Sequence, residues 1–169
     1  IIVAYATKSE AIKNSNGKRG ERRMPTLMRQ INVISRCGAR YRTEKFRPLG
    51  LCAPHHSYIL NVCKHPGISQ EQLAEHICVD KSNVTRQLAR LEEGGYVERR
   101  QNPADRRSVL VYPTQKALDA LPEVRKTVTE WNDYLLSDLT EEERETLSAL
   151  LDRLSARAKE YFRGREEDE

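Results

Sequence analysis

Residues 69–112 read SQEQLAEHICVDKSNVTRQLARLEEGGYVERRQNPADRRSVLVY, and this stretch decides the fold of the chain. Ser69 and Gln72 have the spacing of a capping box, which predicts that a helix begins directly after Ser69. A short turn follows, and the carboxylate of Asp80 is placed to cap a second helix. The glycine pair at 94–95 ends that second helix. The stretch therefore predicts a helix-turn-helix.

The second helix of this motif has one apolar and one cationic side. Val84, Leu88 and Leu91 recur at i, i+4 and i+7, so we expect them to form a buried stripe. At about 100° per residue, the other side of the helix is polar. That side carries Ser82, Asn83, Arg86, Ala89 and Arg90. A short, polar and cationic face of this kind suits the major groove of DNA.

A basic hairpin follows the two helices. Residues 96–100 and 109–112 are rich in β-forming side chains, and residues 101–108 between them are rich in Asn, Pro, Asp and Arg. A helix-turn-helix with such a hairpin is a winged helix, whose wing reaches phosphates or a minor groove. The alternative is a small helical domain whose hairpin arginines are only solvated. The predicted fold class is mainly α with a small β-hairpin wing.

The chemistry of base reading selects four side chains. Arginine pairs bidentately with guanine and asparagine with adenine, while serine and threonine contact bases or phosphates. The candidates for base reading are Ser82, Asn83, Thr85 and Arg86. The other arginines of this region are expected to contact phosphates or to stay solvated: Arg90, Arg99, Arg100 and Arg106.

Composition excludes several classes of protein. The chain has 169 residues and a formal net charge of +4, which suits one domain and permits nucleic-acid binding. No apolar run approaches the ~18 residues of a membrane span. The four cysteines lack metal-ligand spacing, and Cys52, His55 and His56 have no obvious further ligand, so we expect no metal and a reduced, cytoplasmic protein. No catalytic motif appears, which predicts neither enzymatic activity nor a cofactor.

The segments outside the winged helix are long amphipathic helices. Thr114 is placed to cap the first helix after the wing, and Pro122 is expected to kink that helix or to mark a second start. Its expected apolar side comprises Leu118, Leu121, Val124, Val128, Trp131 and Leu135. Thr140 and Glu143 form another capping box, which opens a final helix. That helix carries Leu147, Leu150, Leu151, Leu154, Ala158, Tyr161 and Phe162 on its apolar side.

These patterns predict five segments. They are a basic, disordered arm (1–23), an N-terminal dimerisation helix (24–50), a DNA-binding lobe (51–113), C-terminal dimerisation helices (114–163) and a charged tail (164–169). Met24 is the expected natural start, and the arm would add DNA affinity if it belongs to the protein. A lobe of this size cannot cover the apolar helices, so we expect a homodimer; the alternative is that the helices fold back on their own lobe.

The sequence resembles the MarR family of transcriptional regulators over residues 25–162. The residues that carry the resemblance are 66–74 (PGISQEQLA), 80–86 (DKSNVTR), 91–97 (LEEGGYV) and the wing, 102–108 (NPADRRS). The resemblance implies a homodimer held by its N- and C-terminal helices. It also implies that the dimer binds a palindromic operator on double-stranded DNA and usually represses transcription.

The resemblance also implies roles for particular side chains. Arg107 of the wing would enter the minor groove, and Asp105 would help to hold it. A small phenolic or other aromatic effector would bind between the dimer helices and the lobe, where the candidates are Tyr41, His55, His56, Tyr58 and Trp131. The alternative there is ordinary packing at the dimer seam.

Two alternative functions remain open at this point. Some relatives sense oxidants through a cysteine of the first helix, where this chain has Cys37. A buried cysteine is more often inert packing than a sensor. A winged helix can also bind a partner protein instead of DNA, and a steep salt dependence with preference for one DNA sequence would separate the two.

Overall fold

The structure is a computed structural model that describes the backbone of residues 26–166 and the side chains of residues 26–161. The predicted basic arm at 1–23 and the last residues of the predicted tail, 167–169, lie outside the described residues. The backbone at 164–166, which we expected to belong to the tail, continues the final helix.

The described residues contain six α-helices, three strands and a short 3₁₀ helix (Arg47–Leu49) that follows the first α-helix. The order of the α-helices and strands is α1 (Leu27–Phe46), α2 (His55–Lys64), β1 (Ile68–Ser69), α3 (Gln70–Ile77), α4 (Lys81–Glu93), β2 (Val97–Gln101), β3 (Val109–Pro113), α5 (Gln115–Leu136) and α6 (Glu141–Glu166). Helices α3 and α4 are the predicted helix-turn-helix, and β2 and β3 are the predicted wing. None of these helices combines the length and apolar character that a membrane span requires.

The core of the lobe lies between α2, α3, α4 and the sheet. Val84, Leu88 and Leu91 of α4 have no exposed surface, as their spacing predicts. In α2, Ile59 is fully buried, whereas Leu60 and Cys63 pack only at the edge of the core. Tyr58 and Val62 are also buried at the centre of the core.

The sheet has a third strand that the sequence analysis missed. Its strand order is β1-β3-β2, with Ile68 of β1 opposite Val111 of β3. The main-chain N–H of Gly67 donates to the carbonyl of Val111 at 2.8 Å. Gly67 has a φ of +84°, and a Cβ there would lie 3.1 Å from the hydroxyl of Tyr112. Glycine therefore lets the chain approach β3 closely enough for β1 to pair with it.

Helix α5 corrects one expectation. It is continuous from Gln115 to Leu136, so Pro122 does not start a second helix. Its buried face consists of Ala117, Ala120, Val124 and Thr127. Leu118 and Leu135 of the expected apolar side are 42% and 39% exposed on the single chain. Small residues let α5 lie close to its own lobe, and the larger apolar side chains are left facing outward.

The terminal helices expose apolar side chains on the single chain. In α1 these are Leu27, Met28, Ile31, Val33 and Ile34. In α6 they are Leu147, Leu150, Leu151, Leu154 and Tyr161. The alternative that these helices bury their apolar faces on their own lobe therefore does not describe this structure.

Candidate nucleic-acid interface

The N-terminus of α4 is held by Asp80. One carboxylate oxygen of Asp80 accepts from the main-chain N–H of Asn83 at 2.7 Å and also from the hydroxyl of Ser82. The Ser82 hydroxyl and the Asn83 N–H lower the pKa of Asp80, because both hydrogen bonds favour the charged carboxylate. The cap fixes the first turn of α4, which contains the candidate base-reading residues Ser82 and Asn83.

The four candidate base-reading residues share one side of α4 but differ in how free they are. Ser82, Thr85 and Arg86 are exposed. The hydroxyl of Thr85 has two acceptors within the protein, the carbonyl of Lys81 at 3.0 Å and the side-chain oxygen of Gln70 at 3.2 Å. Asn83 is half-buried, and its side-chain oxygen accepts from the hydroxyl of Tyr58 at 3.2 Å. Of the four side chains, Arg86 is therefore the freest to contact DNA, and Asn83 is the most constrained by contacts within the protein.

The wing tip presents Arg107 to solvent. Asp105 accepts from the main-chain N–H of Arg107 at 3.0 Å, and its carboxylate lies 3.6 Å from the Arg107 guanidinium. The carbonyl of Arg106 accepts from the side-chain amide of Gln101 at 2.8 Å, which ties the tip to β2. The Arg107 side chain is 94% exposed. This geometry suits a guanidinium that is held at its base and free at its end.

Two other arginines of the wing have acidic partners within the protein. The side chain of Arg99 donates to Glu92 of α4 at 2.9 Å, and the main-chain N–H of Arg99 donates to the same carboxylate at 3.1 Å. Arg100 pairs with Glu98 at 2.8 Å and lies over the ring of Tyr112. Both arginines therefore have partners in the protein and are not simply solvated charges. Among the expected phosphate contacts, Arg90 and Arg106 are exposed.

A cysteine and a histidine lie beneath the recognition helix. The main-chain N–H of Cys52 donates to Nδ1 of His55, so the other ring nitrogen, Nε2, carries the proton and faces the Cys52 sulfur at 3.2 Å. Burial raises the pKa of the Cys52 thiol and lowers the pKa of His55. His55 is only 5% exposed and is buried in the lobe, which makes it a poor candidate for contact with an effector.

The other candidate effector residues lie in three places. Tyr41 and Trp131 stack with ring centroids 5.2 Å apart, at the contact between α1 and α5. His56 is half-buried and donates from Nδ1 to the carbonyl of Ala53, and burial lowers its pKa. Tyr58 is only 2% exposed and faces Asn83. The structure thus joins Tyr41 with Trp131, and it places Tyr58 with the base-reading residues instead.

Cys37 lies on the exposed side of α1, and its redox role stays a prediction. Among the described residues there is no cluster of three or more His, Cys, Asp and Glu side chains that would hold a metal ion.

Comparisons with known proteins agree with the geometry of the lobe. Residues 52–109 match the model of the MarR family. The chain is 31% identical over 131 residues to the uncharacterized HTH-type transcriptional regulator YybA of Bacillus subtilis (strain 168). That alignment covers 78% of this chain and 87% of YybA. The chain belongs to the MarR family.

Two solved structures of MarR family proteins contain DNA. A family member from Listeria monocytogenes complexed with 26mer DNA is 26% identical, with a TM-score of 0.76, and the match covers 81% of this chain and 91% of that one. A mutant MarR from E. coli complexed with operator DNA is 29% identical, with a TM-score of 0.69 and coverage of 76% and 92%. These matches confirm that the chain has a winged-helix fold. They also confirm that it is a DNA-binding transcriptional regulator, a class of proteins that are not enzymes.

Sequence reasoning missed two residues that shape the MarR interface. Tyr58 was assigned to the effector region, although a hydroxyl within the apolar stripe of α2 signals a polar partner inside the lobe. Glu92 was not selected by the sequence analysis. Its contact with Arg99 spans the glycine turn at 94–95, and pairing across such a turn cannot be read from helical periodicity.

Proposed function

We propose that this MarR family chain acts as a homodimer that represses transcription from a palindromic operator until a small aromatic effector releases it. The observation that carries the proposal is the joint exposure of Arg86 on α4 and Arg107 at the wing tip. Arg86 on α4 would enter a major groove and Arg107 on the wing a minor groove, since winged helices bind DNA with this helix and this wing.

The chemistry of the α4 face supports sequence-specific binding. The guanidinium of Arg86 has the geometry for two hydrogen bonds to guanine, and the amide of Asn83 offers a donor and an acceptor. The hydroxyls of Ser82 and Thr85 keep acceptor capacity towards the groove. Arg90 and Arg106 would add phosphate contacts, which position the protein without reading sequence.

The apolar faces of α1 and α6 support the dimer. A soluble regulator that exposes this many leucine and isoleucine side chains on two long helices needs a cover for them. A second copy of the chain supplies the same faces, and a twofold axis makes such an interface self-complementary. The same axis would set two α4 helices about one DNA turn apart, as a palindromic operator requires.

The stacked pair of Tyr41 and Trp131 supports an effector site between the dimer helices and the lobe. Tyr41 donates to Glu130 at 2.9 Å, and Trp131 also stacks with Tyr134. An aromatic effector that inserted here would replace ring contacts with its own. Because α5 joins the wing to α6, such an insertion would change the spacing of the two lobes.

Two measurements test the proposed dimer and the proposed effector site. A selected palindromic duplex should bind two chains, and a duplex carrying one half-site should bind much more weakly. Trp131 is the only tryptophan of the chain, so a bound aromatic effector should change its fluorescence as it releases the DNA. Equal affinity for half-site and palindrome would contradict the dimeric arrangement, and release without any change in Trp131 emission would contradict the effector site.

A further inference from the structure

Tyr58 connects the core of the lobe to the recognition helix. Its ring is 2% exposed among the apolar side chains of the lobe, so Tyr58 itself cannot contact DNA. Its hydroxyl lies beneath the first turn of α4 and donates to the side-chain oxygen of Asn83 at 3.2 Å. A phenylalanine would fill the same space, so the hydroxyl serves this polar contact and not the packing.

The hydroxyl of Tyr58 is a donor at neutral pH. Burial raises its pKa, and the carboxylate of Asp80 raises it further, while the charge of Arg86 opposes both. The phenol therefore keeps its proton, and the oxygen of Asn83 is the acceptor. In the structure this hydrogen bond therefore runs from the phenol of Tyr58 to the side-chain oxygen of Asn83.

Asn83 is consequently held at two points. Its main-chain N–H is bound by the Asp80 cap at 2.7 Å, and its side-chain oxygen is bound by Tyr58. A free asparagine amide turns about its last torsion with little preference, and a half-turn exchanges its donor and acceptor. A half-turn would let the NH₂ group donate to the phenol oxygen, but it would leave the buried phenol proton without the acceptor that it has in the structure, so the orientation with the oxygen towards Tyr58 is the stable one.

We infer that Tyr58 is a positioning residue for base reading, which sets the amide orientation of Asn83 and thereby the base pair that this chain prefers at one position of its operator. The inference rests on the proposed function, since it requires that Asn83 faces a base. An amide of fixed orientation rejects a base whose donors and acceptors are reversed, whereas a free amide turns to accept it. The hydroxyl therefore contributes to specificity and much less to total affinity.

The test compares Tyr58→Phe with wild type on a panel of operators in which each base pair of a half-site is replaced in turn. Asn83→Ala first identifies the base pair at which Asn83 acts. Tyr58→Phe should reduce discrimination at that base pair by about 2- to 10-fold, the range of one net hydrogen bond, and leave the other positions unchanged. In the Asn83→Ala background, Tyr58→Phe should have no further effect at that base pair.

Tyr96→Phe is the matched control. Tyr96 is 3% exposed, and its hydroxyl donates to the carbonyl of Leu49 at 2.6 Å, away from α4. It therefore loses the same group from the same kind of buried site. If Tyr58→Phe retains wild-type discrimination, or weakens all operators equally as Tyr96→Phe does, the inference is wrong.

A measurement on the free protein separates this inference from the proposed function. The side-chain NH₂ resonances of Asn83, assigned by their loss in Asn83→Ala, should shift in Tyr58→Phe and stay unchanged in Tyr96→Phe. Resonances that do not shift overturn the inference whatever the DNA results are. A wild-type protein that prefers no base pair at any position contradicts the proposed function, and it also overturns the role of Tyr58 in base reading even where the resonances shift.

Discussion

The carboxylate of Glu92, near the end of α4, holds both the side chain and the main-chain N–H of Arg99 on β2, at 2.9 and 3.1 Å. The recognition helix and the first strand of the wing are therefore joined directly, beyond the glycine turn that connects them. Because α4 and the wing would enter different grooves, their relative position sets whether both can bind at once. The hydrogen-bonded pair of Glu92 and Arg99 therefore helps to hold the wing in position relative to α4.

Glu92→Gln should loosen this junction. Arg99 lowers the pKa of Glu92, so the pair contributes stability above the ordinary glutamate pKa of about 4.3 and loses it as pH falls through the lower folded value. The carboxylate is 38% exposed and screened by water, so we expect a loss of at most about 1 kcal/mol at neutral pH. Urea denaturation at pH 7 and near pH 3 measures it. Glu93→Gln, an exposed neighbour, is the control, and an equal loss in both variants would contradict the role of the pair.

Arg107→Ala should weaken operator binding by roughly 1–3 kcal/mol, since it removes the exposed guanidinium of the wing tip. Asp105→Ala should cost less, because it releases Arg107 without removing it. Arg100→Ala is the matched control on the same wing, where the arginine already pairs with Glu98. Fluorescence anisotropy with a labelled operator at matched salt gives the three affinities. Wild-type affinity in Arg107→Ala would exclude the minor-groove role.

Gly38→Ala should separate α1 from α5. A Cβ at this position would lie 2.8 Å from the indole nitrogen of Trp131, so the ring must move. Overpacking of this kind costs about 1–3 kcal/mol, and the better helix propensity of alanine offsets about 1 kcal/mol of it. We expect a lower melting temperature and a shifted Trp131 emission. An unshifted emission with unchanged stability would show that α1 and α5 are not in this contact.

Leu150→Glu combined with Leu154→Glu should convert a dimer into a monomer. Both leucines are nearly half exposed on α6, and two carboxylates on each copy would meet across a twofold interface. Sedimentation velocity measures the mass of the species. Asp152→Ala is the control, since Asp152 lies on the opposite side of the helix by its spacing. A double variant that remains dimeric would place the interface elsewhere.

Local patterns predicted the parts of the fold that depend on a few neighbouring residues. The caps at Ser69, Asp80 and Thr140 are present, and the stripe of Val84 on α4 is buried, because caps and helical faces follow from spacing alone. The wing followed from its turn residues in the same way.

Features that depend on distant residues were not predictable in this way. The two residues of β1 form a strand only because Gly67 lets them reach β3. Helix α5 carries apolar residues on two of its sides, and helical spacing alone does not tell which side faces the lobe. The contact of Tyr58 with Asn83 joins residues 25 positions apart, and no local pattern encodes it.

The central claim is that α4 and the wing together read a DNA sequence. Selection of bound duplexes from a random pool by the wild-type chain, followed by titration of the selected duplex at two salt concentrations with unrelated competitor DNA, tests it most directly. We predict a palindromic site with half-sites about one DNA turn apart, bound with steep salt dependence and resistant to competitor. A pool without enrichment, or binding that competitor removes at both salt concentrations, would contradict it.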